Sequence, residues 1–294
     1  MTPQPGHLST LVDGLQFPEA PRWRHGRLWF SDFFRERVFS VSLAGDLREE
    51  AQVPGHPSGL GWRPDGTLLV VSMHDRCLMA RAPGGPADAA STPAPLQRLA
   101  DLSAWVGGPC NDMVVDAQGR AYVGNFGFDL YAGETPRSTC LLRVDLDGSV
   151  HRAADDVMFP NGMALAPDGR TLILAETHAQ RLSAFSVDKL GALSHRRVFA
   201  DLPGVYPDGL CLDDEGAVWV ADARGRCVLR VLDGQGVVQR IDTGERHAFA
   251  CMLGGEDGCT LFVCAAPGIG ALHARTQQGR IETTRVQVPS AGRS

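Results

Sequence analysis

The chain has 294 residues, 44% hydrophobic and 21% charged, which is enough apolar material to bury a core and excludes a disordered chain. Its net charge of −6 excludes the basic stripe of a nucleic-acid binder, and Lys189 is its one lysine. Glycine (34) and proline (19) are frequent, which predicts many turns and short strands rather than long helices.

No apolar run reaches the ~20 residues of a membrane span, so no membrane partner is expected. The opening MTPQPGHLST has no positively charged stretch followed by an apolar core, which predicts no signal peptide and a cytoplasmic protein. The eight cysteines show no CxxC spacing and stand mostly inside apolar runs. They read as buried free thiols rather than disulfides or a zinc site.

In chain order, a turn rich in Gly and Asp followed at once by an apolar strand recurs six times. The copies are RHG-RLWFSD at Gly26, RPDG-TLLVVS at Gly66, DAQG-RAYVGN at Gly119, APDG-RTLILAE at Gly169, DDEG-AVWVAD at Gly216 and GEDG-CTLFVCA at Gly258. Glycine at such a turn accepts positive φ and marks a hairpin. A short apolar strand precedes each turn (APRW, GLGW, DMVV, GMALA, GLCL, FACML). Two more strand-like runs follow each hairpin, for example CVLRVL and VVQRI. Spacings of 40 to 53 residues with about four strands per unit are the signature of propeller blades. The expectation is all-β: one six-bladed β-propeller, four antiparallel strands per blade, spanning 1–294. Two packed β-sandwiches would not explain the regular glycines. Segments 8–12 and 281–288 are both candidates to close the ring.

Counting back from the turn glycines turns the repeat into chemistry. Eight residues back stand Ser58, Asn111, Asn161, Asp208 and Ala250; in the shorter first turn, seven back is Glu19. Their local strings are HPSGL, PCNDM, FPNGM, YPDGL, AFACM and FPEAP, and Pro stands one or two residues ahead in most of them. Each therefore starts an innermost strand at the same end of the ring, and equivalent positions converge on the axis. An Asn or Asp before Gly merely makes a turn when it stands alone. Five polar residues at one repeat position predict an oxygen-lined channel mouth. Two carboxylates packed there would repel, and a divalent cation removes that penalty; all-oxygen donors suit Ca²⁺, Mg²⁺ or Mn²⁺.

Second strands return toward the mouth, so Asp32, His74, Asn125, His178, Asp222 and Arg224 are expected to face it. Two long segments also belong there, DLSAWVGGPC at 101–110 and FGFDLYAGETPRS at 126–138, mixing glycine with aromatics as a substrate lid would. The Pro/Ala-rich stretch 82–95 falls on the opposite face as a surface loop. There is no HExxH, no GxSxG and no phosphate-binding glycine loop. Trp23, Trp29, Trp62 and Trp219 read as packing residues.

FPEAPRW, CNDMVVDAQGRAYVG, FPNGMALAPDGRTLILAET and YPDGLCLDDEGAVWVAD, spread over nearly the whole chain, strongly resemble the regucalcin (senescence marker protein) and gluconolactonase family. The resemblance implies a six-bladed propeller with one catalytic divalent metal on the axis. It implies Glu19, Asn161 and Asp208 as metal ligands, Asn111 beside substrate or metal, and Asp208 as general base. Sugar-lactonase members carry Arg two residues before the asparagine of the ND motif, where this chain has Pro109. The segment YVGNFGFDLYAG predicts instead a more apolar pocket for a different lactone or ester.

The expected function is opening of a lactone ring by water activated at a divalent ion: Ca²⁺ first, then Zn²⁺, Mn²⁺, Mg²⁺ or Fe²⁺. Asp208 takes the proton. Asn111, Asn125, His178, Arg224 and Ser58 are the expected substrate contacts, Arg224 or His178 anchoring a substrate carboxylate. Rival readings are an esterase or phosphotriesterase on the same ion, a metal-free strictosidine-synthase-like condensation, and a non-catalytic ligand- or calcium-binding propeller.

Overall fold

The computed structural model describes residues 7–83 and 95–292. All six turn glycines have positive φ, from 68° at Gly169 to 88° at Gly66, where a Cβ would be strained. At five of these turns an aspartate accepts a hydrogen bond from the amide two residues on: Asp65 from Thr67, Asp116 from Gln118, Asp168 from Arg170, Asp213 from Glu215 and Asp257 from Cys259. These hairpins close on local chemistry alone.

Six four-stranded antiparallel sheets result, the expected propeller blades. Their innermost strands are Pro18–Arg24, Pro57–Trp62, Cys110–Val115, Pro160–Leu165, Pro207–Leu212 and His247–Gly254, here numbered blades one to six. Each inner strand touches the next, and the sixth touches the first. Blade six takes Thr260–Ala266 and Gly279–Arg285 as its next strands and Ser9–Leu15, from the other end of the chain, as its outermost. Both segments offered for ring closure are therefore used.

Near the axis the blades approach so closely that side chains are excluded. A Cβ on Gly162 would lie 2.4 Å from the Asp208 carbonyl oxygen, and one on Gly209 2.3 Å from the Ala250 Cβ. Farther out, the tryptophans fill the seams as expected. Trp23 stacks on Phe262 at 5.3 Å between blades one and six, and Trp29 meets Trp62 edge-on at 5.2 Å between blades one and two. Trp219 is fully buried. All eight cysteines are free thiols and seven are buried. Helix among the described residues is limited to the single turns Thr177–Ala179 and Ala271–Ala274, and none is long and apolar enough to cross a membrane. Of the loop expected at 82–95, residues 84–94 lie outside the described residues.

Candidate active site

Every innermost strand breaks register with its neighbour at one place: between Glu19 and Arg22, Pro57 and Leu60, Cys110 and Met113, Pro160 and Met163, Pro207 and Leu210, Ala248 and Ala250. A bulge of this kind leaves a residue out of the ladder and re-aims its side chain. Ser58, Asn111, Asn161 and Asp208 fall inside these breaks and Glu19 on the edge of one. Glu19, Asn111, Asn161 and Asp208, from blades one, three, four and five, line one cavity of about 100 Å³ at the mouth of the channel.

Both acids are buried, 7% exposed each. Burial, then the nearby Asp208 charge, push the Glu19 carboxyl well above the usual range, although the Ala20 amide donates to it at 2.8 Å. Burial and the Asp112 charge do the same to Asp208, opposed by a hydrogen bond from Asn161. Arg22, by its charge, relieves Glu19 only slightly. Its guanidinium donates to Asp112 at 2.8 Å and to the Met113 carbonyl at 2.6 Å. Among the described residues no ion pair reaches Glu19 or Asp208. Three buried carboxyl groups therefore share one buried guanidinium, which is bonded to Asp112, leaving Glu19 and Asp208 without a paired cation.

The two amides are held by neighbouring groups. The Asn161 nitrogen donates to the Thr177 hydroxyl at 3.2 Å, which itself donates to the Pro207 carbonyl at 2.8 Å. The Asn111 nitrogen donates to the Pro160 carbonyl at 3.4 Å. Two carboxylates and two amides make a hard, oxygen-rich donor set; among the described residues no three His, Cys, Asp or Glu side chains gather as a metal site, here or elsewhere, so the amides have to complete this one. The surplus charge and the donor type both fit one divalent cation of the Ca²⁺, Mg²⁺ or Mn²⁺ kind.

The structure adds wall residues that the repeat count did not single out. Phe17, Phe159 and Tyr206 stand two residues ahead of Glu19, Asn161 and Asp208 and line the cavity with Phe33, Phe126 and Phe249. The signal lay in the strings FPEAP, FPNGM and YPDGL, where an aromatic precedes each proline. Phe126 stacks on Phe159 at 4.4 Å, and Phe17 meets Phe249 at 4.6 Å. Phe159 holds φ 56°, a left-handed geometry that costs a bulky residue of order 1–3 kcal/mol and is kept at functional sites. Thr177, from the turn after the second strand of blade four, also lines the cavity.

His178 and Arg224 line it too. Burial and the Arg224 charge hold the His178 imidazole below its usual pKa, so it is neutral at pH 7. Ser58 and Asn125, also expected as substrate contacts, lie away from the cavity. Asn125 is fully buried; its nitrogen donates to the Cys140 carbonyl at 2.7 Å and its oxygen accepts from the Thr139 hydroxyl at 2.7 Å. Ser58 is buried against blade one, its carbonyl accepting from the Ser31 hydroxyl at 2.7 Å. Neither lines the cavity. Asp32 and Asp222, expected at the mouth, are likewise committed to the backbone: Asp32 accepts from the Gln16 and Phe17 amides, Asp222 from the Tyr206 and Arg224 amides. Of the two long segments, 126–138 brings Phe126, Leu130 and Tyr131 to the cavity, while 101–110 contributes no lining residue.

Residues 17–267 match the family model described as the SMP-30/gluconolactonase/LRE-like region. Over 164 residues the chain is 32% identical to the pentonolactonase XacC of Haloferax volcanii, covering 54% of each. Over 186 residues it is 32% identical to the 6-deoxy-6-sulfogluconolactonase of Pseudomonas putida, covering 61% of this chain and 62% of that one. Thus the chain spans a little over half the length of these curated relatives. The structure of a luciferin-regenerating enzyme matches at a TM-score of 0.81 and 17% identity, covering 98% of this chain and 97% of that one, a likeness of fold. With six blades and a family match that runs from Phe17 to the end of the second strand of blade six, the chain belongs to the SMP-30/gluconolactonase/LRE-like family.

Proposed function

We propose that the chain is a divalent-cation-dependent lactonase, hydrolysing a small-molecule lactone at the Glu19–Asn161–Asp208 floor. The observation that carries this reading is the pair of buried carboxylates left without a cation while Arg22 serves Asp112. Family membership and the lactonases among the relatives support the reaction class. The eight free thiols support a reducing, cytoplasmic setting.

Glu19, Asn161 and Asp208 would hold the ion, Ca²⁺ ahead of Zn²⁺, Mn²⁺, Mg²⁺ and Fe²⁺. When bound, it supplies Lewis-acid polarisation of the lactone carbonyl and a lowered pKa for the attacking water. Asp208 would accept the proton released as water attacks the carbonyl. Asn111 stands beside the substrate, and Thr177 holds the Asn161 amide through the hydrogen bond to its nitrogen. The aromatic wall excludes bulk water, which strengthens each of these interactions.

Chelation followed by dialysis is expected to remove one ion per chain and, with it, turnover of lactones; adding the ion back restores both. Undiminished hydrolysis by the ion-free protein breaks the reading. One bound ion with no turnover of any lactone or ester replaces it with a calcium-binding role.

A further inference from the structure

The floor and the rim differ in what they offer a ligand. At the floor the donors are committed within the protein: Asn111 donates to the Pro160 carbonyl, Asn161 to the Thr177 hydroxyl and to Asp208, and the Thr177 hydroxyl to the Pro207 carbonyl. Above them the wall is phenyl: Phe17, Phe33, Phe126, Phe159 and Phe249. These rings pack on one another, Phe17 on Phe33 at 5.2 Å and on Phe249 at 4.6 Å, as one continuous apolar wall. A polyhydroxylated ring seated here would press its hydroxyls on phenyl faces. Each one left unpaired weakens binding about tenfold or more.

At the rim stands one charge. The Arg224 guanidinium lies 4.0 Å over the Tyr206 ring, and among the described residues no carboxylate pairs with it. Stacking on an aromatic face fixes the guanidinium plane and leaves its N–H edge available, the geometry that reads a carboxylate in two parallel hydrogen bonds. Its neighbour His178 is uncharged at pH 7, so the positive charge on this side of the cavity is that of Arg224.

We propose that the substrate is a lactone bearing an apolar, aryl-like substituent that ends in a carboxylate: the ring carbonyl at the Glu19–Asp208 floor, the apolar body against Phe126, Phe159 and Phe249, and the carboxylate on Arg224. This rests on the lactonase reading above and narrows it to a substrate class. It makes Arg224 a specificity-determining residue, with no part in bond breaking. Hydrolysis adds water across the ring C–O bond, giving a hydroxy acid with two carboxylates, the new one at the floor and the original one at the rim.

The test compares three probes on the ion-loaded protein: glucono-δ-lactone, γ-phenyl-γ-butyrolactone and its para-carboxyphenyl analogue. The expected order in kcat/KM is carboxyphenyl, then phenyl, then gluconolactone, with the last at least about a hundredfold behind the first. Arg224→Gln is expected to collapse the carboxyphenyl-over-phenyl preference by about tenfold, mainly through KM. Arg226→Gln, two residues on and outside the cavity lining, keeps the parental preference. Calorimetric binding of the carboxyphenyl product acid is expected to weaken by the same factor in Arg224→Gln, a readout independent of turnover. Faster hydrolysis of gluconolactone than of the phenyl lactone overturns this inference and leaves the lactonase reading standing. An unchanged preference in Arg224→Gln overturns the carboxylate assignment. No turnover of any of the three, with the ion bound, overturns both the lactonase reading and this one.

Discussion

At the hairpin end of the channel Asp116 meets Arg120 at 2.6 Å and Asp213 meets Arg230 at 2.7 Å, all four side chains nearly buried. At the mouth Glu19 and Asp208, equally buried, meet no cation among the described residues. The hairpin end also has the larger cavity, about 630 Å³ against about 100 Å³, lined in part by Asp116, Asp168 and Lys189. Arg22 lines that cavity while its guanidinium reaches Asp112, so it stands between the two ends. Cavity size therefore points to one end, and charge balance to the other. Acids neutralised by arginine hold hairpins shut; acids left repelling each other are a place prepared for something else.

The sharpest way to break this contrast is to remove one acid from each end. Asp208→Ala is expected to lower kcat/KM by about 10³-fold or more, since a positioned base and a ligand of the ion go together. The ion-free variant is expected to melt higher than the ion-free parent, because burial and like charge raise Asp208's pKa in the fold and that penalty disappears. Calorimetric melting and lactone kinetics check both. Asp116→Ala should do the opposite. It strands the buried Arg120, costs about 3–5 kcal/mol of stability and leaves turnover per folded molecule unchanged. If Asp208→Ala destabilises the ion-free protein as much as Asp116→Ala does, the two ends do not differ as described.

Why one end was legible and the other only partly so follows from how each is built. The hairpins rest on Asx turns and positive-φ glycines, which are local, and the floor residues stand at a constant count from those glycines. A bulge at one register position in each inner strand keeps that count meaningful. The ends of the second strands share a register too, and there Asp32, Asn125 and Asp222 bind backbone, while His178 and Arg224, two residues beyond such ends, reach the cavity. Equivalent place in a repeat fixes where the backbone is, and the next loop decides what the side chain meets. Contacts such as Phe17 on Phe249 join segments more than 200 residues apart in the chain, so no local pattern announces them.

The contrast also has a pH signature. Glu19 and Asp208 have folded pKa values above their unfolded ones, near 4, so the ion-free folded state binds more protons than the unfolded state. Its stability is greatest below that unfolded value and falls as pH rises through the raised values. Each pKa unit by which a group is raised removes about 1.4 kcal/mol. The bound ion is expected to cancel the slope, and its affinity to rise with pH over the same window as protons cease to compete. Melting temperatures of ion-free and ion-loaded protein across pH 4–8 decide it; parallel curves would mean that the two acids carry no unbalanced charge.

The smallest expected effect probes how firmly the floor is held. Thr177→Val keeps the shape of the side chain but removes the donor to the Pro207 carbonyl and the acceptor for the Asn161 nitrogen. Both groups are buried, so stability should fall by about 1–3 kcal/mol. A purely structural threonine would stop there. If it fixes the Asn161 amide, ion affinity should also fall several-fold, up to about tenfold, because the freed amide can turn its nitrogen toward the ion. Thr177→Ser, which restores the hydroxyl without the methyl, should recover ion affinity more fully than stability. Equal ion affinity in Thr177→Val and the parent would show that the closely packed inner strands orient Asn161 by themselves, with Gly162 against Asp208 as the contact that does so.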